Sequence, residues 1–231
     1  MGEISMKRQL ESIIENKTFF LWSLRTSAAF VFLSIFPILF VLVEVRSGTL
    51  AERFTYISQN YVLVQFAWSL TFAALCAICF VFTILFFHLN RTYRPILQWA
   101  WFISVVALCA STLYHLIEIM MMPILMQWLM TIPTESAHVT LSAWDTSLSH
   151  LSGIFIPTSL SIGGLLYTAV MFQTKDIPSV LSYWSFSIWS LVLVGSFFAP
   201  FLGVVVFFLL SAAILLYVPW IWQLGKIRKN S

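Results

Sequence analysis

Apolar residues in this chain neither alternate along strands nor follow a narrow amphipathic stripe. They come in six nearly continuous runs, at residues 27–45, 61–87, 96–121, 148–172, 180–199 and 201–222. About 20 apolar residues in a helix cross a hydrocarbon core of roughly 30 Å, so each run predicts one membrane-spanning helix. Transmembrane barrel strands would show segments of about ten residues alternating apolar with polar, and no such segments occur. The expected fold is therefore all-α: a polytopic membrane protein with six transmembrane helices. The fifth and sixth runs meet at Ala199-Pro200, which predicts a tight hairpin there, because a proline ring clashes with the preceding helical turn.

The polar breaks between runs give the orientation. Lys7, Arg8, Lys17 and Arg25 precede the first run, Arg91 and Arg94 follow the second, Lys175 follows the fourth, and Lys226, Arg228 and Lys229 follow the sixth. The alternate breaks hold only Arg46 and Arg53. Basic residues are retained on the cytoplasmic side, so both termini are expected there. The chain then divides into a cytoplasmic segment at 1–25, a six-helix membrane domain at 26–222 and a basic cytoplasmic tail at 223–231. Within the first segment, Ile4, Leu10, Ile13 and Ile14 stand near helical spacing among charges, as in an amphipathic helix lying on the membrane surface. The long connection at 122–147, apolar at first and broken by Pro123 and Pro133, is expected to lie over the outer mouth of the bundle as an interfacial or re-entrant segment.

Composition agrees with this picture. In 231 residues, 60% are hydrophobic and 9% charged, and the mean hydropathy of +0.93 leaves too little polar surface for a soluble globule. The net charge of +3, with no basic stripe interleaved with aromatics, excludes a nucleic-acid partner; the expected partners are the lipid bilayer and other subunits of a homo- or hetero-oligomer within it. Cys76 and Cys79 form a C-x-x-C in mid-span, where thiolate formation is costly, and they read as small packing residues.

The chemistry worth following is a group of histidines and carboxylates. His115 and Glu118 stand three residues apart on the third span, in register with Ser104 and Ser111, and ionisable groups at membrane depth usually face a bundle interior. At the same outer level come Glu135, His138, Asp145 and His150. Because no basic residue occurs between Arg94 and Lys175, the group reads as unneutralised and attractive to cations. Histidine with carboxylate is a common ligand set for divalent transition metals. His115, Glu118 and His150 are the candidate metal ligands, with Ser111, His138 and Asp145 behind them. No catalytic residue is assigned. The function expected is a non-enzymatic membrane module with an outward-facing His/carboxylate pocket for a cation, metal or small ligand; the alternatives are an intramembrane metal-dependent enzyme, a haem protein ligated by His115 and His150, or a structural subunit of a membrane complex. Zinc hydrolases of the alkaline-ceramidase type need a late H-x-x-x-H pair, and no histidine follows His150. A retinal protein needs a lysine in its last span, and a phosphate-cradling glycine loop is absent.

The order of features resembles the six-span bacterial integral membrane proteins grouped as domain of unknown function 4386. The resemblance rests on His88-Leu-Asn-Arg91-Thr-Tyr-Arg94 after the second span, Glu118 late in the third, Gly153-Ile-Phe-Ile-Pro157 and Gly163-Gly164-Leu-Leu-Tyr167 in the fourth, the Lys175-Asp-Ile-Pro178 turn, and the aromatic exit at Trp220–Trp222. It implies a bacterial inner-membrane location and no established activity. His115 departs from the basic or polar residue expected at that place.

Overall fold

The computed structural model describes residues 17–121, 124–125, 135–203 and 205–230. The described chain is helical apart from short connections, without strands, and six of its helices are long and apolar enough to cross a membrane. Helix α1 (Lys17–Pro37) continues through a π-helical turn at Ile38–Leu42 into α2 (Val43–Arg46). A short amphipathic helix, α3 (Leu50–Gln59), precedes the second span, α4 (Tyr61–His88). The third span, α5 (Arg94–Leu116), ends in a π turn at Ile117–Met121. The fourth comprises α6 (Glu135–His150), a π turn at Leu151–Phe155 and α7 (Ile156–Phe172). The last two are α8 (Ser179–Leu202) and α9 (Val205–Asn230).

Three boundaries differ from the pattern of apolar runs. The first helix begins by Lys17, so Arg25 stands inside it, its guanidinium 5.2 Å over the Trp222 ring. The fourth span is helical from Glu135, although Ser142, Asp145, Thr146 and Ser147 make that stretch polar. Thr146 and Ser147 donate to the carbonyls of Ser142 and Ala143 at 2.8 and 2.9 Å, which satisfies hydroxyls inside a helix without breaking it. The last hairpin turns at Gly203 rather than at Ala199-Pro200. Pro200 is accommodated in the final turn of α8, and Gly203 supplies the positive φ of +51° that reverses the chain, its N–H donating to the Ala199 carbonyl. The expected surface helix at 3–17 lies outside the described residues except for Lys17; of the connection at 122–147, residues 122–123 and 126–134 lie outside them, while 135–147 are not re-entrant but continue the fourth span as helix.

The spans pack as a ring in chain order, each on the next, with α9 returning against α1. Lipid offers no hydrophobic drive between helices, so close approach and hydroxyl contacts take its place. Gly163 and Gly164 provide the closest approach: an added Cβ would fall 2.6 Å from Ser104 Oγ of α5 and 2.2 Å from the Trp189 ring of α8. Thr168 and Ser185 share a hydrogen bond of 2.7 Å, Thr158 and Ser196 one of 2.8 Å, and Trp220 Nε1 donates to the Leu181 carbonyl at 3.0 Å. Phe82 stacks on Tyr167 with centroids 4.9 Å apart, inside the ring. Outward-facing Phe40, Phe66, Trp99, Phe197 and Phe201 leave an apolar belt suited to lipid. Cys76, Cys79 and Cys109 are free thiols, and Cys79 Sγ lies 3.6 Å from the Ser104 carbonyl, as packing residues should.

Candidate functional site

All three π turns among the described residues lie toward the end of the bundle that carries the first, third and fifth connections, the distal end. Proline adjoins them in the sequence: Pro37 before the first, Pro123 two residues after the second, Pro157 just after the third. Pro157 withholds the N–H that would bond the Gly153 carbonyl inside the third turn, and widening that turn to i+5 bonding absorbs the mismatch. Such bonds are present from Val43 N–H to Ile38 O and from Ile156 N–H to Leu151 O. Each π turn rotates the residues on its two sides relative to one another. Arg46 follows the first, Glu118 lies in the second, and Asp145, Ser149 and His150 precede the third.

These residues meet. Arg46 Nη2 donates to Glu118 Oε1 at 2.6 Å and to the Tyr114 hydroxyl at 2.7 Å, while Nη1 reaches Asp145 Oδ1 at 3.2 Å and Ser149 Oγ at 3.1 Å. Arg53, projecting from α3, grips both Asp145 oxygens at 2.7 and 2.6 Å and donates from Nε to the Val45 carbonyl at 2.7 Å. Glu118 is 1% exposed and Arg53 9%. An unpaired carboxylate at that depth would be costly, and the bidentate fork of arginine is the geometry that compensates it best. Gly48, at φ +80°, turns α3 back over the bundle, and the capping box between Thr49 and Glu52 starts the helix that delivers Arg53. Glu52 is held below the usual carboxylate range by the Thr49 backbone N–H and hydroxyl.

The sequence-based view of an unneutralised acidic group is therefore corrected. Arg46 and Arg53, separated from their partners by 72 and 92 residues, bring two positive charges to Glu118 and Asp145. They were legible as the sole basic residues of the minority side, and Tyr114 as a polar neighbour of His115, but their pairing depends on ring closure. Among the described residues no group of three His, Cys, Asp or Glu side chains is placed to hold a metal ion. Glu118 is committed to Arg46 and Asp145 to both arginines. The side chain of His138 lies outside the described residues.

The two remaining candidates share a different feature. His115 Nδ1 lies 2.7 Å from the Ser111 carbonyl and 3.2 Å from Ser111 Oγ, and His150 Nδ1 lies 2.9 Å from the Thr146 carbonyl. A carbonyl only accepts, so in both rings Nδ1 carries the proton and a neutral imidazole presents Nε2 as an acceptor. His150 is exposed; His115 is 4% exposed, wedged between the Phe72 and Tyr114 rings, and its Nε2 has no hydrogen-bond partner among the described residues.

Both histidines line a cavity of about 390 Å³ in the centre of the ring. Arg46, Arg53, Tyr114, Ser149 and Ser152 complete its polar rim. No family model matches the chain, and neither a curated protein nor a solved structure is detectably similar to it. Below the rim the walls are apolar, with Leu42, Trp68, Leu160, Val192 and Phe207 among them. The cavity extends to Val31, Ile188 and Tyr217, roughly 20 Å from the rim at 1.5 Å rise per helical residue. The result is an amphipathic well: charges that pair off at the rim, an imidazole acceptor without a partner among the described residues just inside, and mostly apolar walls beneath, broken by Ser34, Thr71 and the Tyr217 hydroxyl.

Proposed function

We propose that this chain is a non-enzymatic membrane module whose central well holds a small ligand taken up from the outer face, with the Arg46–Glu118 and Arg53–Asp145 pairs as its fixed rim. The observation that carries the reading is the combination of a cavity reaching well into the bundle with a rim whose charges pair off, Arg46 with Glu118 and Arg53 with Asp145. Pockets of a few hundred Å³ with apolar walls and a few convergent polar groups are the usual form of small-molecule sites. The outward orientation follows from the basic residues of the opposite end. A bacterial inner-membrane location, which the resemblance to the domain of unknown function 4386 proteins implies, suits that orientation. A cation is the less favoured ligand, because both carboxylates in the rim are committed to guanidinium groups.

Ligand-dependent stabilisation of the protein in nanodiscs tests this reading. A ligand at a hundred times its Kd stabilises the native state by about 2.7 kcal/mol. A panel of small apolar and amphipathic solutes is expected to contain members that raise Tm in the wild type and fail to do so in Ala213→Phe, which fills the well from the buried Ala213 position. Solutes that stabilise both proteins equally, or none that stabilises the wild type, would contradict it.

A further inference from the structure

We infer that the ligand of the well is a neutral single-chain lipid with a hydroxyl headgroup, of the monoacylglycerol or long-chain alcohol kind; this rests on the reading of the cavity as a ligand site and adds the chemical class. Three observations select it. The well is long and apolar-walled, running from the polar rim to Val31, Ile188 and Tyr217, so one extended chain suits it better than a compact polar solute. The rim charges cancel, two arginines against Glu118 and Asp145. All four terminal N–H groups of Arg46 are directed at acceptors, to Asp145 and Ser149 from Nη1 and to Tyr114 and Glu118 from Nη2. At Arg46 an anionic head would have to displace a carboxylate already held, and a cationic head would meet two guanidinium groups. The third observation is the sign of what remains unsatisfied. His115 lines the well, is 4% exposed, and its Nε2 acceptor has no partner among the described residues. It needs a donor, and a hydroxyl supplies one at no charge.

The deep end is apolar but for one hydroxyl: Ile78, Ile188, Trp189 and Ala213 form the lower walls, and the Tyr217 hydroxyl at the far end has no hydrogen-bond partner among the described residues. His150 Nε2 and Ser152 stand at the rim, where a second hydroxyl of a glycerol head would reach water and polar side chains together.

Native mass spectrometry of the full chain, released from nanodiscs doped in turn with monolaurin, laurate, methyl laurate and dodecyltrimethylammonium, tests the inference. The four probes share chain length and differ in head. Monolaurin is expected to be retained at about tenfold higher occupancy than the other three, the size of effect that one satisfied buried acceptor gives. His115→Phe keeps a ring against Phe72 and removes the acceptor, and it should bring monolaurin down to the level of methyl laurate. Comparison of the probes in the wild type alone decides the matter if that variant does not fold. Equal retention of all four probes, a preference for laurate or for the ammonium probe, or undiminished monolaurin selectivity in folded His115→Phe would overturn the hydroxyl-lipid inference while leaving the ligand site intact. Retention of no probe, together with no stabilising solute among the apolar and amphipathic panel, would remove both.

Discussion

The contacts of α7 with its neighbours and the rim at the distal end hold the same ring together by opposite means. Along α7, Gly163 and Gly164 bring backbones close and hydroxyl pairs such as Thr168–Ser185 bridge to α8. No charge is involved, and each contact is local to two adjacent spans. At the distal end, Arg46, Glu118, Arg53 and Asp145 tie together residues from the first span, α3, the third span and α6. The seams of α7 are tolerant of polarity changes and intolerant of volume, since the space at Gly164 is already occupied by the Trp189 ring. For the rim the reverse holds: losing one partner leaves a buried charge without compensation.

The largest expected effect is that of Arg46→Ala. It strips Glu118, 1% exposed, of its guanidinium and Asp145 of one of two, and breaking a buried pair from one side typically costs about 3–5 kcal/mol. Thermal unfolding in nanodiscs should show a lower Tm for Arg46→Ala than for Gly164→Ala, Thr168→Val or Thr49→Ala. Next comes Gly164→Ala, where the new methyl meets a rigid indole rather than the end of a flexible chain. Overpacking of this kind costs about 1–3 kcal/mol, and the companion Trp189→Leu should recover part of it, which a Tm comparison of single and double variants would reveal.

How far the sequence foretells these two regions follows the same division. Spans, their number and the packing role of Gly163-Gly164 are written locally, in runs of apolar residues and small-residue pairs. The extension of the fourth span to Glu135 was hidden by polar side chains that satisfy themselves against their own helix. Glu118, Asp145, His115 and His150 stood out individually as polar residues at one depth. Their partners did not, because Arg46 and Arg53 come from far earlier in the chain and are aimed by a π turn and by α3. The signals for both devices were present: Pro37 ahead of the π turn, and Thr49-x-x-Glu52 as a capping box. Pairing an arginine with a carboxylate 72 residues away nonetheless requires the ring to be closed first.

Smaller effects refine the comparison. Thr168→Val removes the hydroxyl shared with Ser185 but keeps the volume, and interhelical hydrogen bonds in membranes average about 0.6 kcal/mol, so its Tm should fall far less than that of Gly164→Ala. The smallest change belongs to Thr49→Ala at the start of α3. Because Glu52 is held below its ordinary range in the folded chain, the cap stabilises above the unfolded carboxylate pKa and its contribution is lost as pH falls through the folded value. The protection of the α3 amides, with exchange corrected for its intrinsic pH dependence, should therefore fall on acidification in the wild type, and in Thr49→Ala it should be low already at neutral pH.

A double-mutant cycle on Arg46 and Glu118 tests most directly the claim that the acidic cluster is a paired structural rim and not an open ligand set. Arg46→Met, Glu118→Leu and the double variant would be unfolded under identical conditions in nanodiscs. The paired rim predicts strong non-additivity, with the double variant more stable than Arg46→Met alone, because removing both charges leaves no orphan. Additive losses, with Glu118→Leu no worse than neutral in either background, would show that Arg46 does not hold Glu118 and would return that carboxylate to the pool of free ligands.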